Sequence, residues 1–186
     1  MNMSSSLTAN VRAASFGLVL AVLTILYGQG MGIVFGLNAD VIKSRLKTSA
    51  AEVRDSAYKG EDAAMKAVLD KSWNYMQRAH LHAGGMGTTA VCLILVLCLL
   101  GVSSRATAVI GIALGAGGFG YSVFWMWAGF LATGLGSTGA AKESLRWLAM
   151  PSSGAFVLAT VAVVFMLIGA IVSRHAPRPG TDSGTT

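Results

Sequence analysis

Three side chains at the entry to one apolar stretch could do chemistry. They are His80, His82 and Met86, in the run Arg78-Ala79-His80-Leu81-His82-Ala83-Gly84-Gly85-Met86-Gly87. Neutral imidazole is the usual protein ligand for haem iron and copper, and a Met thioether is a softer second ligand. On a helix His82 and Met86 are one turn apart, as are Met76 and His80, so each imidazole has a thioether neighbour. The two histidines are themselves separated by about 200° of rotation and face different ways. His82 lies two residues deeper, about 3 Å of rise. Depth raises the cost of an unpaired imidazole, which ranks His82 ahead of His80 as the cofactor- or metal-holding residue. Haem b is the first candidate cofactor and copper the alternative. Two other readings stay open: interfacial polar residues, and a proton relay. His175 lies beyond the last apolar stretch. A bis-histidine haem within one chain would therefore need both imidazoles of the one pair, which the rotation makes awkward. A Met, a Tyr or a second subunit would have to supply the other axial ligand.

The elements that position these residues are four apolar stretches, residues 13–37, 83–102, 106–132 and 148–172, none with an Asp, Glu, Lys or Arg. Each reaches the length of about 20 residues that a helix needs to cross about 30 Å of hydrocarbon. The chain is 54% hydrophobic and only 12% charged, against about 25% charged in soluble domains. The net charge of +6 is spread beside the apolar stretches, where anionic headgroups attract it. No nucleic-acid-binding motif accompanies it. The first stretch is too long for the apolar core of a secretory signal and reads as a retained span. The expectation is an all-α integral membrane protein, a four-helix bundle, placed in the cytoplasmic membrane if the source is bacterial.

Residues 1–12 read as a polar lead, 13–172 as the membrane domain and 173–186 as a disordered tail. Between the first two spans, residues 38–82 hold six of the eight acids and eight of the fourteen basic residues. Val41, Ile42, Leu46 and Val53 recur at roughly helical spacing. After a break at Gly60, Met65, Leu69, Trp73 and Met76 form a second stripe that His80 continues. Residues 38–80 are thus expected to form an amphipathic extramembrane helical hairpin, its second arm running unbroken into the second span from about 61 to 100. A kink at Gly84-Gly85 is the competing possibility. Pro151 sits where a helix start favours it. The loops after the first and third spans hold ten Lys and Arg residues against four elsewhere, which favours a cytoplasmic hairpin, while the acids of that loop and Arg12, Arg174 and Arg178 beside the spans pull the other way and leave the orientation open.

Gly28, Gly32 and Gly36 recur every fourth residue on the first span, and Gly111 and Gly115 on the third. Small residues at this spacing let another helix backbone approach closely. The alternative is that they make room for a flat haem or quinone ring. Phe124-Trp125-Met126-Trp127, with Tyr121 a turn earlier, could serve packing or wall such a ring. Gln29, an amide inside the first span, predicts an interhelical hydrogen bond. Cys92 and Cys98 are about 9 Å apart along a helix, too far for a disulfide. No phosphate-binding loop, dinucleotide fingerprint, nucleophile elbow or Cys-x-x-Cys is present.

Residues 79–87 are similar to the Ala-His-x-His-x-x-x-x-Gly pattern that opens a span in membrane proteins resembling subunit I of haem–copper oxidases, and in NnrS-like haem proteins. The resemblance implies that His80 and His82 are haem or metal ligands. The other histidine-bearing spans of an oxidase subunit have no counterpart here, so it implies a single site and not an oxygen-reducing bimetallic centre. Two functions follow as expectations. One is a small haem b or metal-binding redox subunit that passes electrons, with a quinone as partner. The other is a non-catalytic structural or assembly subunit, homo- or hetero-oligomeric, docked on other membrane subunits through its glycine stripes.

Overall fold

The computed structural model describes residues 3–175, with side chains for residues 7–173. Among these residues there are six helices and no strand: α1 Met3–Glu52, α2 Arg54–Ala57, α3 Asp62–Leu99, α4 Ser104–Gly134, α5 Thr138–Ser144 and α6 Arg146–His175. Four of them, α1, α3, α4 and α6, are long and apolar enough to cross a membrane. The protein is an all-α integral membrane four-helix bundle with a helical hairpin at one end.

The first span and the first hairpin arm are a single 50-residue helix, bent where Asn38 leaves helical geometry (φ −132°, ψ 24°). Asn competes for backbone hydrogen bonds through its own amide, so the bend falls where the apolar stretch ends. Helix α1 starts at Met3, inside the stretch read as a polar lead; residues 1 and 2 lie outside the described residues. The second arm and second span are likewise one helix, α3, unbroken through Gly84-Gly85. Its 38 residues span about 57 Å, nearly twice the hydrocarbon thickness. Helix α6 begins at Arg146 rather than at Pro151, which lies inside its second turn. It ends at His175, within the expected tail; the rest of that tail, 176–186, is outside the described residues.

Helices α1, α3 and α4 pack on one another, while α6 rests almost wholly on α4. Ala14, Ala21, Ala90, Ile94, Leu97, Leu114 and Val163 fill the interior. Phe16, Leu26, Leu158 and Phe165 point outward, as suits a lipid surround. Lipid offers helices no hydrophobic reason to associate, so contact depends on how closely backbones approach. Glycines set that approach. Gly17 of α1 lies directly on Gly111 of α4, and a Cβ at Gly115 would stand 2.7 Å from the Gly17 carbonyl oxygen. A Cβ at Gly87 would stand 3.0 Å from the Ala21 carbonyl oxygen, and one at Gly28 would stand 3.0 Å from the Gly84 nitrogen. Gly36 departs from its expected packing role: a Cβ there would meet no atom of another helix within 4 Å. It sits half a turn before the Asn38 bend and faces outward.

The hairpin does not stand free in water. Its stripe packs arm on arm, Trp73 against Phe35 with ring centroids 5.3 Å apart and Lys43 4.9 Å over the Trp73 ring. At the tip, Lys59 (φ 53°) and Gly60 (φ 76°) make the left-handed turn. Arg54 closes it by donating to the Asp62 carboxylate at 2.9 Å and to the Gly60 carbonyl at 2.8 Å. The end of α4 reaches this tip, where the buried Tyr58 hydroxyl donates to the Thr133 carbonyl at 2.8 Å. Gly136 (φ 62°) turns the chain against Ala57.

Four outcomes follow. Gly115→Ala forces a Cβ into backbone that cannot rotate away and is expected to cost about 1–3 kcal/mol of stability. Gly36→Ala, in open space, is expected to leave the thermal midpoint of the purified protein unchanged. Burial raises the Tyr58 phenol above its ordinary value. The Tyr58 contribution is therefore complete below about pH 10 and is lost as pH rises through the raised folded value. Tyr58→Phe should lower stability by about 1 kcal/mol at neutral pH and flatten the alkaline fall; an unchanged alkaline limb would contradict this assignment. In a chain with Cys92 and Cys98 replaced by Ala, cysteines at 59 and 138 should label from one side of the membrane and a cysteine at 103 from the other.

Candidate functional site

The two histidines sit on opposite flanks of α3, as two residues of helical rotation require. His80 faces α1. Its Nδ1 lies 2.7 Å from the Gly28 carbonyl oxygen. A carbonyl only accepts, so Nδ1 carries the proton, and in the neutral ring Nε2 holds the lone pair. The imidazole rests over Gly32, where a Cβ would stand 2.9 Å from Cε1, and meets Phe35 edge-on at 6.3 Å. Gly28, Gly32 and Phe35 are successive residues of one α1 stripe, so a single helical face forms the seat. Gly32 thus leaves room for an imidazole and not for another backbone.

His82 faces α4. Its ring stacks on Tyr121, centroids 5.2 Å apart at 15°, and meets the Trp125 edge at 6.2 Å. Met86, one turn on, packs its Cβ over Gly118, 3.3 Å from where a Cβ there would be. Met76 is fully buried and presses on Gly129. Both thioether-bearing side chains expected to support an imidazole therefore pack against α4. Depth ranked His82 first, yet the hydrogen bond to the neighbouring helix belongs to His80. That bond falls to His80 because its flank of α3 meets the Gly28 carbonyl oxygen.

An apolar groove of about 420 Å³ opens beside this level. It is lined by Tyr27, Met31, Phe35, Met76, Met126 and Phe130, among others, and by neither histidine. The closest glycine contacts between α1 and α4, Gly17 on Gly111 and Gly115 on Gly17, are backbone on backbone. Among the described residues no group of three or more His, Cys, Asp or Glu side chains is placed to hold a metal ion. Gln29 is exposed and does not make the interhelical bond its position suggested. Ser72 Oγ and Trp125 Nε1 are buried without a hydrogen-bond partner.

On the His82 flank the structure adds a cluster of aromatic rings and cations. Tyr75 and Trp125 are buried and meet edge to face at 4.8 Å. The Arg78 guanidinium lies 4.5 Å over the Trp125 ring, and Lys142 of α5 lies 6.0 Å from the Tyr75 ring. Tyr75, Arg78 and His82 share a stripe that helical spacing reveals. Lys142 joins them only through the α4–α5 turn, which no local pattern predicts.

Asn is the useful probe at position 80, because its Nδ2 can stand where the imidazole Nδ1 stands. His80→Ala is expected to lose about 1 kcal/mol, His80→Asn to recover most of it, and His82→Ala to act through lost ring stacking alone. Equal losses in His80→Ala and His80→Asn would show that the bond to Gly28 contributes nothing. Compared with protein-family models, curated proteins and solved structures, the chain matches none.

Proposed function

We propose that this chain is a non-catalytic subunit of a membrane assembly. The supporting observation is the employment of its two span histidines: one ties α3 to α1 through the Gly28 carbonyl, the other stacks between α3 and α4 on Tyr121. The groups best suited to chemistry thus serve as helix-to-helix fastenings. Gly28, Gly111 and Gly115 of the glycine stripes are used inside the chain's own bundle, and of the stripes' members Gly36 faces outward. Partner subunits therefore meet a surface other than those three packed glycines, and Gly32→Leu would strike His80 rather than an interface.

A second reading is a redox subunit in which His80 Nε2 ligates a single haem b or copper ion and passes electrons to or from a quinone. It is supported by the bond from Nδ1, since a ligating histidine characteristically donates its other ring N–H to a carbonyl or carboxylate that fixes tautomer and ring orientation. Among the described residues no three His, Cys, Asp or Glu side chains come together, so in this reading the remaining ligands come from a second subunit.

One variant separates the two readings, because His80→Asn keeps a donor for Gly28 and removes the imidazole ligand. The protein is taken from native membranes in mild detergent and examined by native mass spectrometry, optical spectroscopy and elemental analysis. The assembly reading predicts a complex heavier than one chain that His80→Asn leaves intact, with no change in absorbance or metal content. A single free chain in the wild type would refute it. A Soret band or bound copper lost in His80→Asn and kept in His82→Ala would establish the redox reading instead.

A further inference from the structure

The cation cluster on the His82 flank is used neither by the bundle's packing nor by either functional reading. Arg78 projects from α3 and Lys142 from α5, both exposed. Both approach the Tyr75 ring, at 5.9 Å and 6.0 Å, so the two charges are at most about 12 Å apart by the sum of those distances. Arg78 also covers the Trp125 indole at 4.5 Å. Aromatic faces orient these cations but cannot neutralise them.

Four acids of the hairpin side are held in ion pairs with other cations. Asp55 and Asp62 pair with Arg54, Asp70 with Lys66 and Glu143 with Arg146. Among the described residues no ion pair reaches Arg78 or Lys142. Two like charges with no counter-charge repel each other, and α5 touches α3 at only a few positions. An anion placed between α3 and α5 would relieve the repulsion and join the two helices.

The level of the cluster identifies the anion. Arg78 lies five residues, about 7 Å of rise, before the uncharged stretch of α3 that begins at Ala83. Trp147 and Met150 are exposed beside the start of α6, where amphipathic and apolar side chains anchor a helix at headgroup depth. Phosphates are concentrated at that depth, and juxtamembrane cations are attracted to them. The guanidinium fork matches two phosphate oxygens at once, which an ammonium cannot do.

We propose that Arg78, assisted by Lys142, binds the phosphate of an anionic phospholipid at the hairpin-side face of the bilayer. The bound lipid bridges α3 to α5 and lays its chains along the apolar flank of the bundle.

The test uses the full chain in phosphatidylcholine nanodiscs, with and without phosphatidylglycerol, reading thermal midpoint and retained lipid by native mass spectrometry. Phosphatidylglycerol should raise the midpoint and be retained preferentially. Each of Arg78→Gln and Lys142→Gln should lower that preference about fivefold, the effect of one near-surface cation. Arg78→Lys should fall between wild type and Arg78→Gln. Lys71→Gln, an exposed cation outside the cluster, should change nothing. Equal preference in wild type, Arg78→Gln and Lys142→Gln would overturn the proposal. So would equal stabilisation by inorganic phosphate in phosphatidylcholine alone, which would make the site a free-anion site, and so would an effect of Lys71→Gln as large as that of Arg78→Gln, which would reduce the attraction to net charge.

Discussion

Helices surrounded by lipid gain nothing from hiding apolar side chains, so this bundle depends on how closely α1, α3 and α4 can bring their backbones together. The Gly17–Gly111–Gly115 contact and the Ala21–Gly87 contact fix that separation near one bilayer face and in its interior. Further toward the hairpin, Gly28 does the same against Ala83 and Gly84. Once those contacts exist, α1 and α3 continue side by side past the bilayer boundary and become the two arms of the hairpin. Helix α4 follows to the same height, which is why Tyr58 finds the Thr133 carbonyl. Helix α6 lies outside this arrangement and rests almost wholly on α4, through Gly117 and Gly120 packed on Ser152 and Phe156.

The close approach also governs the histidines. With α1 this near, the Gly28 carbonyl lies within hydrogen-bond distance of His80, and Gly32 supplies the space for the ring. On the opposite flank, α4 presents Tyr121 and Trp125 to His82. Each imidazole thus meets what its flank of α3 faces: a carbonyl on one side, aromatic rings on the other. A hydrogen bond across the α1–α3 contact resists sliding and rotation of the two helices, which glycine contacts alone permit. At the opposite end of the bundle the Ser104 hydroxyl donates to the Asn10 side-chain oxygen at 2.9 Å, so directional bonds tie the helices at both ends.

The apolar stretches made the four spans legible, and the stripe from Met65 to His80 made the long α3 legible, with Trp73 and His80 meeting α1 and Met76 meeting α4. Local pattern could not show that α1 survives the change from apolar to amphipathic sequence at Asn38, because a helix can continue while its surroundings change from lipid to water. Pro151 misplaced the start of α6 for a related reason: proline is tolerated in the first turns, so it bounds a helix start without fixing it. At the candidate site the opposing faces of His80 and His82 followed from rotation alone. Which of them meets a carbonyl oxygen did not, since that depends on the partner helix, and neither did the place of Lys142 beside Tyr75, which the α4–α5 turn creates. Gly36 kept the fourfold spacing without the contact because, half a turn from the bend, it faces away from α3.

The protonation pattern of one ring tests the account most directly. Nitrogen-15 NMR of histidine-labelled protein in nanodiscs at neutral pH, with His82→Gln used to assign the signals, distinguishes which ring nitrogen of His80 carries the proton. Donation to the Gly28 carbonyl predicts a protonated Nδ1 coupled by a hydrogen bond to that carbonyl, with Nε2 unprotonated. A His80 ring protonated on Nε2 with a bare Nδ1 would contradict it, because two acceptors cannot bond, and the close seating of α3 on α1 at Gly28 and Gly32 would then have to be abandoned.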